Sequence, residues 1–178
     1  MRIKLFGFIT ILAAGLLAST NPALAAESNA LSKQRVNQLT SDVLVNKASQ
    51  AFEEKSIEKA IRLFQASIRY NPHNSEAHYR LGVVYAYDHN FKAAIASFKH
   101  AIKLRSDFSK AYLNMGSAYG QLKNYKLALL CYHKALAFDK NDPVIYYNIG
   151  TLYAALGRQD LSQEYLAKAK ELAPAKPE

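Results

Sequence analysis

SKAYLNMGSAYGQLKNYKLALLCYHKALAFDKND, residues Ser109–Asp142, decides the architecture, because the chain on either side of it repeats the same 34-residue plan. Laid over it, 75–108 places Leu81-Gly82, Tyr85, Ala94, Phe98 and Ala101 where the central unit has Met115-Gly116, Tyr119, Ala128, Tyr132 and Ala135. The segment 143–176 supplies Ile149-Gly150, Tyr153, Ser162, Leu166 and Ala169 at the same places, and 41–74 keeps Ala60, Phe64, Ser67 and Pro72 in register behind a weaker first half. Four units at one constant spacing, with no insertion or deletion, read as a solenoid.

Each unit divides into two helices. In the central one Tyr112, Met115, Gly116 and Tyr119 fall at i, i+3, i+4 and i+7 on a single face. After the polar turn Gln121–Asn124, a second stripe runs through Tyr125, Ala128, Leu129, Tyr132, Ala135 and Leu136. Ser56, Asn90 and Asn124 stand at equivalent places before second helices, where a short polar side chain can accept from free backbone N–H groups. Asp142-Pro143 offers a cap followed by proline at the first helical position. Gly82, Gly116 and Gly150 recur inside first helices, where glycine costs about 1 kcal/mol relative to alanine. Close approach of a neighbouring helix explains them, with the small Ala94, Ala128 and Ser162 on the partner helices and Phe64, Phe98, Tyr132 and Leu166 filling the space between repeats. Lys47-Ala48 replaces the apolar-glycine pair in the first unit, as a terminal, capping repeat allows.

The N-terminus carries Arg2 and Lys4, an uncharged run from Leu5 to Ala18, and Ala23-Leu24-Ala25, the order of a secretory signal peptide. Cleavage is expected after Ala25, because the apolar run falls short of the ~20 residues that cross a bilayer. The alternative is a retained inner-membrane anchor. Residues 26–40 read as a flexible leader or frayed helix, 41–176 as the four repeats and 177–178 as a tail. The formal charge of +9 falls to +7 once Arg2 and Lys4 are gone, leaving 21 basic residues against 14 acidic. In an exported chain that excess favours acidic proteins or an envelope surface over specific nucleic-acid binding. The single cysteine, Cys131, cannot form an internal disulfide and reads as buried, the alternative being an intermolecular bridge.

The five histidines are scattered, with no metal-ligand spacing, and no phosphate loop, nucleophile elbow or calcium loop is present. The sequence therefore implies neither an enzyme nor a cofactor or metal.

The pattern Tyr112-x-x-Met115-Gly116-x-x-Tyr119, followed by Ala128, Tyr132 and Ala135 on a 34-residue period, resembles the tetratricopeptide repeat. The resemblance covers 41–176. It implies an all-α fold, an α-solenoid of four helix-turn-helix repeats in a right-handed superhelix, with a concave face built by the first helices that grips an extended or helical peptide. Carried over position by position, the concave residues are Tyr79, Arg80, Val83 and Tyr87, then Leu113, Asn114, Ser117 and Gln121, then Tyr147, Asn148 and Thr151. Asn46, Asn114 and Asn148 share one repeat position, interrupted by Arg80, and resemble an asparagine ladder that bonds ligand backbone; common usage of asparagine there is the alternative. The carboxylate clamp of some relatives is not reproduced, since Val45, Tyr79, Leu113 and Tyr147 stand where it needs a lysine.

The expectation is an exported, periplasmic or secreted, non-enzymatic scaffold that takes a protein or peptide partner in its groove. Self-assembly through the end repeats, giving a homo-oligomer of the cell envelope, is the alternative.

Overall fold

The structure, a computed structural model, describes residues 22–173. Residues 1–21 of the expected signal peptide 1–25, and the tail, lie outside the described residues. Among the described residues eight helices follow one another: α1 (Pro22–Glu53), α2 (Ile57–Tyr70), α3 (Ser75–Tyr87), α4 (Phe91–Leu104), α5 (Ser109–Gln121), α6 (Tyr125–Phe138), α7 (Pro143–Ala155) and α8 (Gln159–Leu172). Among the described residues there is no strand. The fold is an all-α solenoid whose pairs α1/α2, α3/α4, α5/α6 and α7/α8 are the four units.

The turn inside each pair is built the same way four times. Lys55, His89 and Lys123 have φ near +58°, and Gly157 has φ of +72°, all at one repeat position. The N–H of the next residue, Ser56, Asn90, Asn124 or Arg158, reaches back five residues to the carbonyl of Ala51, Tyr85, Tyr119 or Tyr153 at 2.8–2.9 Å. That left-handed residue and its 6→1 bond form the glycine-type helix stop described for Schellman ends. Only the fourth unit places glycine there, so three side chains accept a conformation that costs roughly 1–2 kcal/mol. The residue that closes one helix also opens the next. Asn90 and Asn124 accept from the N–H of Ala93 and Leu127, but Ser56 makes no side-chain cap bond, against the sequence expectation for it. Asp142 caps α7 as expected, accepting from Val144 at 2.8 Å with Pro143 beside it.

The recurring glycines have a local cause. A Cβ on Gly82 would stand 2.6 Å from the Phe98 ring, one on Gly116 2.6 Å from the Tyr132 ring, and one on Gly150 2.8 Å from Leu166 Cγ. The close approach is therefore made by one large side chain of the same repeat, set against the bare helix backbone. Phe98 and Tyr132 are buried in this role, Phe64 is buried at the equivalent place of the first repeat, where Ala48 stands for the glycine, and Cys131 lies buried beside Tyr132 in α6, on the reading favoured from sequence. Ala94, Ala128 and Ser162 are buried next to them.

Of the two expectations for residues 26–40, a flexible leader or a frayed helix, the structure shows a helix: α1 runs through them without a break as the N-terminal part of a 32-residue helix. Nothing between Pro22 and Lys55 stops a helix, and once the first repeat fixes residues 41–53, each further turn adds hydrogen bonds without a new nucleus. Asn74 anchors the junction, donating to Ser41 Oγ at 3.0 Å and to Asp42 Oδ1 at 3.3 Å, while Asn71 donates to Gln38. Ser41 itself is fully buried and shares a 2.8 Å bond with Ser67. The arm beyond this junction is exposed almost throughout.

First helices of successive repeats touch one another, α1 with α3, α3 with α5 and α5 with α7, whereas second helices touch no other second helix. First helices thus form the inner wall of the curve, which is the concave face.

Candidate functional site: a groove in two compartments

Tyr79 and Asn114 meet across the inner wall. Asn114 Nδ2 donates to the Tyr79 hydroxyl at 3.1 Å, linking α3 to α5. Burial pushes the Tyr79 phenol up from its ordinary value, reinforced by the nearby Glu76 carboxylate and partly offset by the Asn114 bond. The phenol is protonated at neutral pH, and since it accepts from Asn114, its own proton remains to be donated.

On the N-terminal side lies a concavity of about 640 Å³ lined by α1 (Ser49, Phe52, Glu53), α3 (Glu76, Tyr79, Arg80, Val83, Val84) and the turn around Arg105–Lys110. Its floor is apolar, from Phe64, Val83, Val84 and Phe108, and its rim is charged. Arg80 Nε holds Glu76 at 2.6 Å and its Nη1 reaches Ser49 Oγ at 3.3 Å. Such an exposed pair adds only ~0.3–0.5 kcal/mol to stability, but it fixes where the guanidinium stands. The Arg105 guanidinium lies 3.2 Å above the Phe108 ring, whose centroid is 4.7 Å from that of Tyr79.

A smaller concavity of about 220 Å³ lies on the C-terminal side between α5 and α7, lined among others by Ser117, Gln121, Tyr132, Asn148 and Thr151. It is the more polar of the two. Tyr132 donates to Ser117, and Ser117 donates to the carbonyl of Leu113.

The residues expected on the concave face are therefore divided. Tyr79, Arg80 and Val83 line the larger compartment; Ser117, Gln121, Asn148 and Thr151 line the smaller. Asn114 stands between them. Tyr87 lies at the groove edge, edge-on to Phe52 at 5.2 Å, and Tyr147 faces a separate depression at the end of the solenoid. Leu113 is not available on the surface: it is buried with Ile145, Ile149 and Leu152 of the following repeat. Two asparagines of the ladder already use one amide donor each, Asn114 to the Tyr79 hydroxyl and Asn148 to the carbonyl of Val144 in its own helix. Sequence reasoning missed Ser49, Phe52, Arg105, Asp107 and Phe108. Phe108 carried a signal, an aromatic at the last position of a unit where the neighbouring units have Asn74 and Asp142.

Among the described residues no group of three or more His, Cys, Asp or Glu could hold a metal ion, and no helix is long and apolar enough to cross a membrane.

The curved stack of helix pairs defines the class, an all-α solenoid of helical repeats. Tetratricopeptide-repeat family models match residues 46–107, 116–157 and 143–176, so the repeats of this chain are tetratricopeptide repeats. No curated protein matches the sequence. Among solved structures, one of MamA superposes with a TM-score of 0.71 at 21% identity, covering 91% of this chain and 85% of that one. A MamA fragment from Desulfovibrio magneticus RS-1 gives 0.69 at 25% identity, covering 76% of each. The first repeat domain of Spaghetti (RPAP3), solved bound to an HSP90 peptide, gives 0.66 at 21% identity over 67% of this chain and 95% of that one.

Proposed function

We propose that this chain is an exported, non-enzymatic interaction scaffold that holds an extended segment of a partner protein in the larger compartment of its groove. The observation that carries the reading is the pairing there of an apolar floor with fixed polar groups at its edge. Phe64, Val84 and Phe108 give a hydrophobic anchor somewhere to go, Tyr79 keeps a proton to donate to a peptide carbonyl, and Arg80 is held in place as a donor to a carboxylate or backbone oxygen. A domain of the same fold, that of RPAP3, is solved bound to a peptide, which supports a peptide as the kind of partner. Export rests on the basic start, apolar run and Ala23-Leu24-Ala25 of the sequence, and it places the partner in the periplasm or outside the cell.

A photocrosslinking residue at position 83, with mass spectrometry of the adducts, identifies the partner in cells. Tyr79→Phe combined with Arg80→Ala is then expected to lower its affinity at least ~10-fold, on the order of 1.4 kcal/mol, while far-UV circular dichroism stays unchanged. Gln121→Ala with Thr151→Ala, in the smaller compartment, leaves the affinity as it was. Undiminished capture by the first pair refutes the reading.

A further inference from the structure

The two ends of the solenoid leave uncovered the two halves of an interface that the chain makes three times internally. Inside the chain, the face of each repeat is covered by the next first helix, through three residues at i, i+4 and i+7: Ala77, Leu81 and Val84, then Ala111, Met115 and Ala118, then Ile145, Ile149 and Leu152. All nine are buried. The same positions in α1 are Val43, Lys47 and Gln50, and they are exposed.

At the other end, α7 and α8 present a depression of about 430 Å³ lined by Pro143, Val144, Tyr147, Leu166, Ala169 and Ala173, with Lys170 its charged side chain among the described residues. Tyr147 is 56% exposed, whereas its counterparts Val45 and Leu113 are 8% exposed and Tyr79 is half-buried.

The two open faces change from the interior pattern together. At the end of the face near the intra-repeat turn, Lys47 and Gln50 stand where the interior has aliphatic residues. The opposing positions, Ile57 and Ile61, Phe91 and Ile95, Tyr125 and Leu129 in the earlier repeats, become Gln159 and Gln163 in the last. Polar therefore meets polar. At the opposite end both faces gain apolar residues that no interior interface has. Val144 replaces Asp42, Glu76 and Lys110, and Ala173 replaces Asn71, Arg105 and Asp139. On α1, Val36 and Leu39 extend the line of Val43 into the arm, 60% and 65% exposed; Leu39 stands where interior repeats have the loop residues His73, Asp107 and Asn141, and Val36 where they have the exposed helix ends Tyr70, Leu104 and Phe138. A terminal repeat that only had to be soluble would be more polar at these places.

We propose that copies of this chain stack head to tail, the α1 face of one seated on the α7/α8 face of the next. Val43 takes the place that Ala111 and Ile145 hold within the chain. Leu39 and Val36 cover Val144 and Ala173. The contact uses two different surfaces, so it does not close on itself as a two-fold dimer does and each added copy leaves the same two ends open. The groove compartment proposed to hold a partner takes no part, and the stack stands or falls separately from it.

Sedimentation of protein purified from cells expressing the full chain tests this. The wild type is expected to grow beyond dimers as concentration rises into the high micromolar range. Leu39→Glu and Val144→Glu, both at exposed positions, each give a monomer with unchanged helicity. Mixed together they form one-to-one dimers and nothing larger, because each variant keeps the face that the other has lost. A wild type that stays monomeric, a variant that still assembles, or a mixture that fails to dimerise overturns the proposal.

Discussion

Three glycines, three left-handed turn residues and one thiol show how single positions are decided by their neighbours. Gly116 lies under the Tyr132 ring with no space for a methyl group, whereas Gly120, one turn further along the same helix, has nothing within 4 Å of the place a Cβ would take. Gly116→Ala is therefore expected to lower stability by about 1–3 kcal/mol, because overpacking outweighs the gain in helix propensity. Gly120→Ala should raise it by about 0.4–1 kcal/mol. Thermal melts of both variants check the contrast; equal effects would mean that the glycines are not there for the rings. Cys131 makes a second residue-scale case. Burial pushes its thiol up to about 11, slightly opposed by Lys99, so the folded state favours the protonated form. The unfolded chain releases that proton near pH 8.5, and between there and about 11 it binds fewer protons than the folded one. The contribution of this group to stability is thus whole below about pH 8.5 and fades as pH rises through that window. Melting temperature plotted against pH should fall more steeply over this range for the wild type than for Cys131→Ala.

At the scale of the element, each helix pair is fixed by its turn as much as by its stripe. The same residue ends one helix and begins the next, so the cap bonds matter where they are made. Asn124→Ala removes the bond to the Leu127 N–H and is expected to cost about 1 kcal/mol, and Asn90→Ala likewise. Ser56→Ala, at the equivalent place but without a side-chain cap bond, should change stability by less than about 0.5 kcal/mol. Urea titrations separate the two cases. The long α1 belongs to this scale too. Its arm is helical through continuity with the first repeat and through Asn71 and Asn74 of the next turn, while its own apolar residues point into solvent.

For the whole molecule, stability is shared between neighbours along one dimension, because each helix touches little beyond the helices next to it in the chain. The interior elements α4 and α5 have neighbours on both sides, and the arm of α1 and α8 have one. Amide hydrogen exchange should therefore be slowest in α4 and α5 and fastest in residues 23–40 and in α8, with a graded rather than all-or-none profile. Uniform protection along the chain would show that the repeats do not unfold from the ends. Protection of α1 and α8 that rises with protein concentration would report the end-to-end contact.

The sequence by itself determined the repeat, its 34-residue register, the division of each unit into two helices and the identity of the buried stripe. These follow from periodicity and from the small residues that tight packing requires, and both are local properties written in every unit. It also made Tyr79, Arg80 and Val83 legible as groove residues, because repeat position alone says which way a side chain on a first helix faces. Only the tertiary structure decided that Leu113 is covered by α7, that Asn114 is held by Tyr79, and that the loop residues Arg105 to Lys110 close one side of the larger compartment. The physical reason is that these outcomes depend on contacts between residues 20 to 60 positions apart. A side chain's repeat position fixes its direction, but what it meets there is fixed by how successive repeats turn on one another.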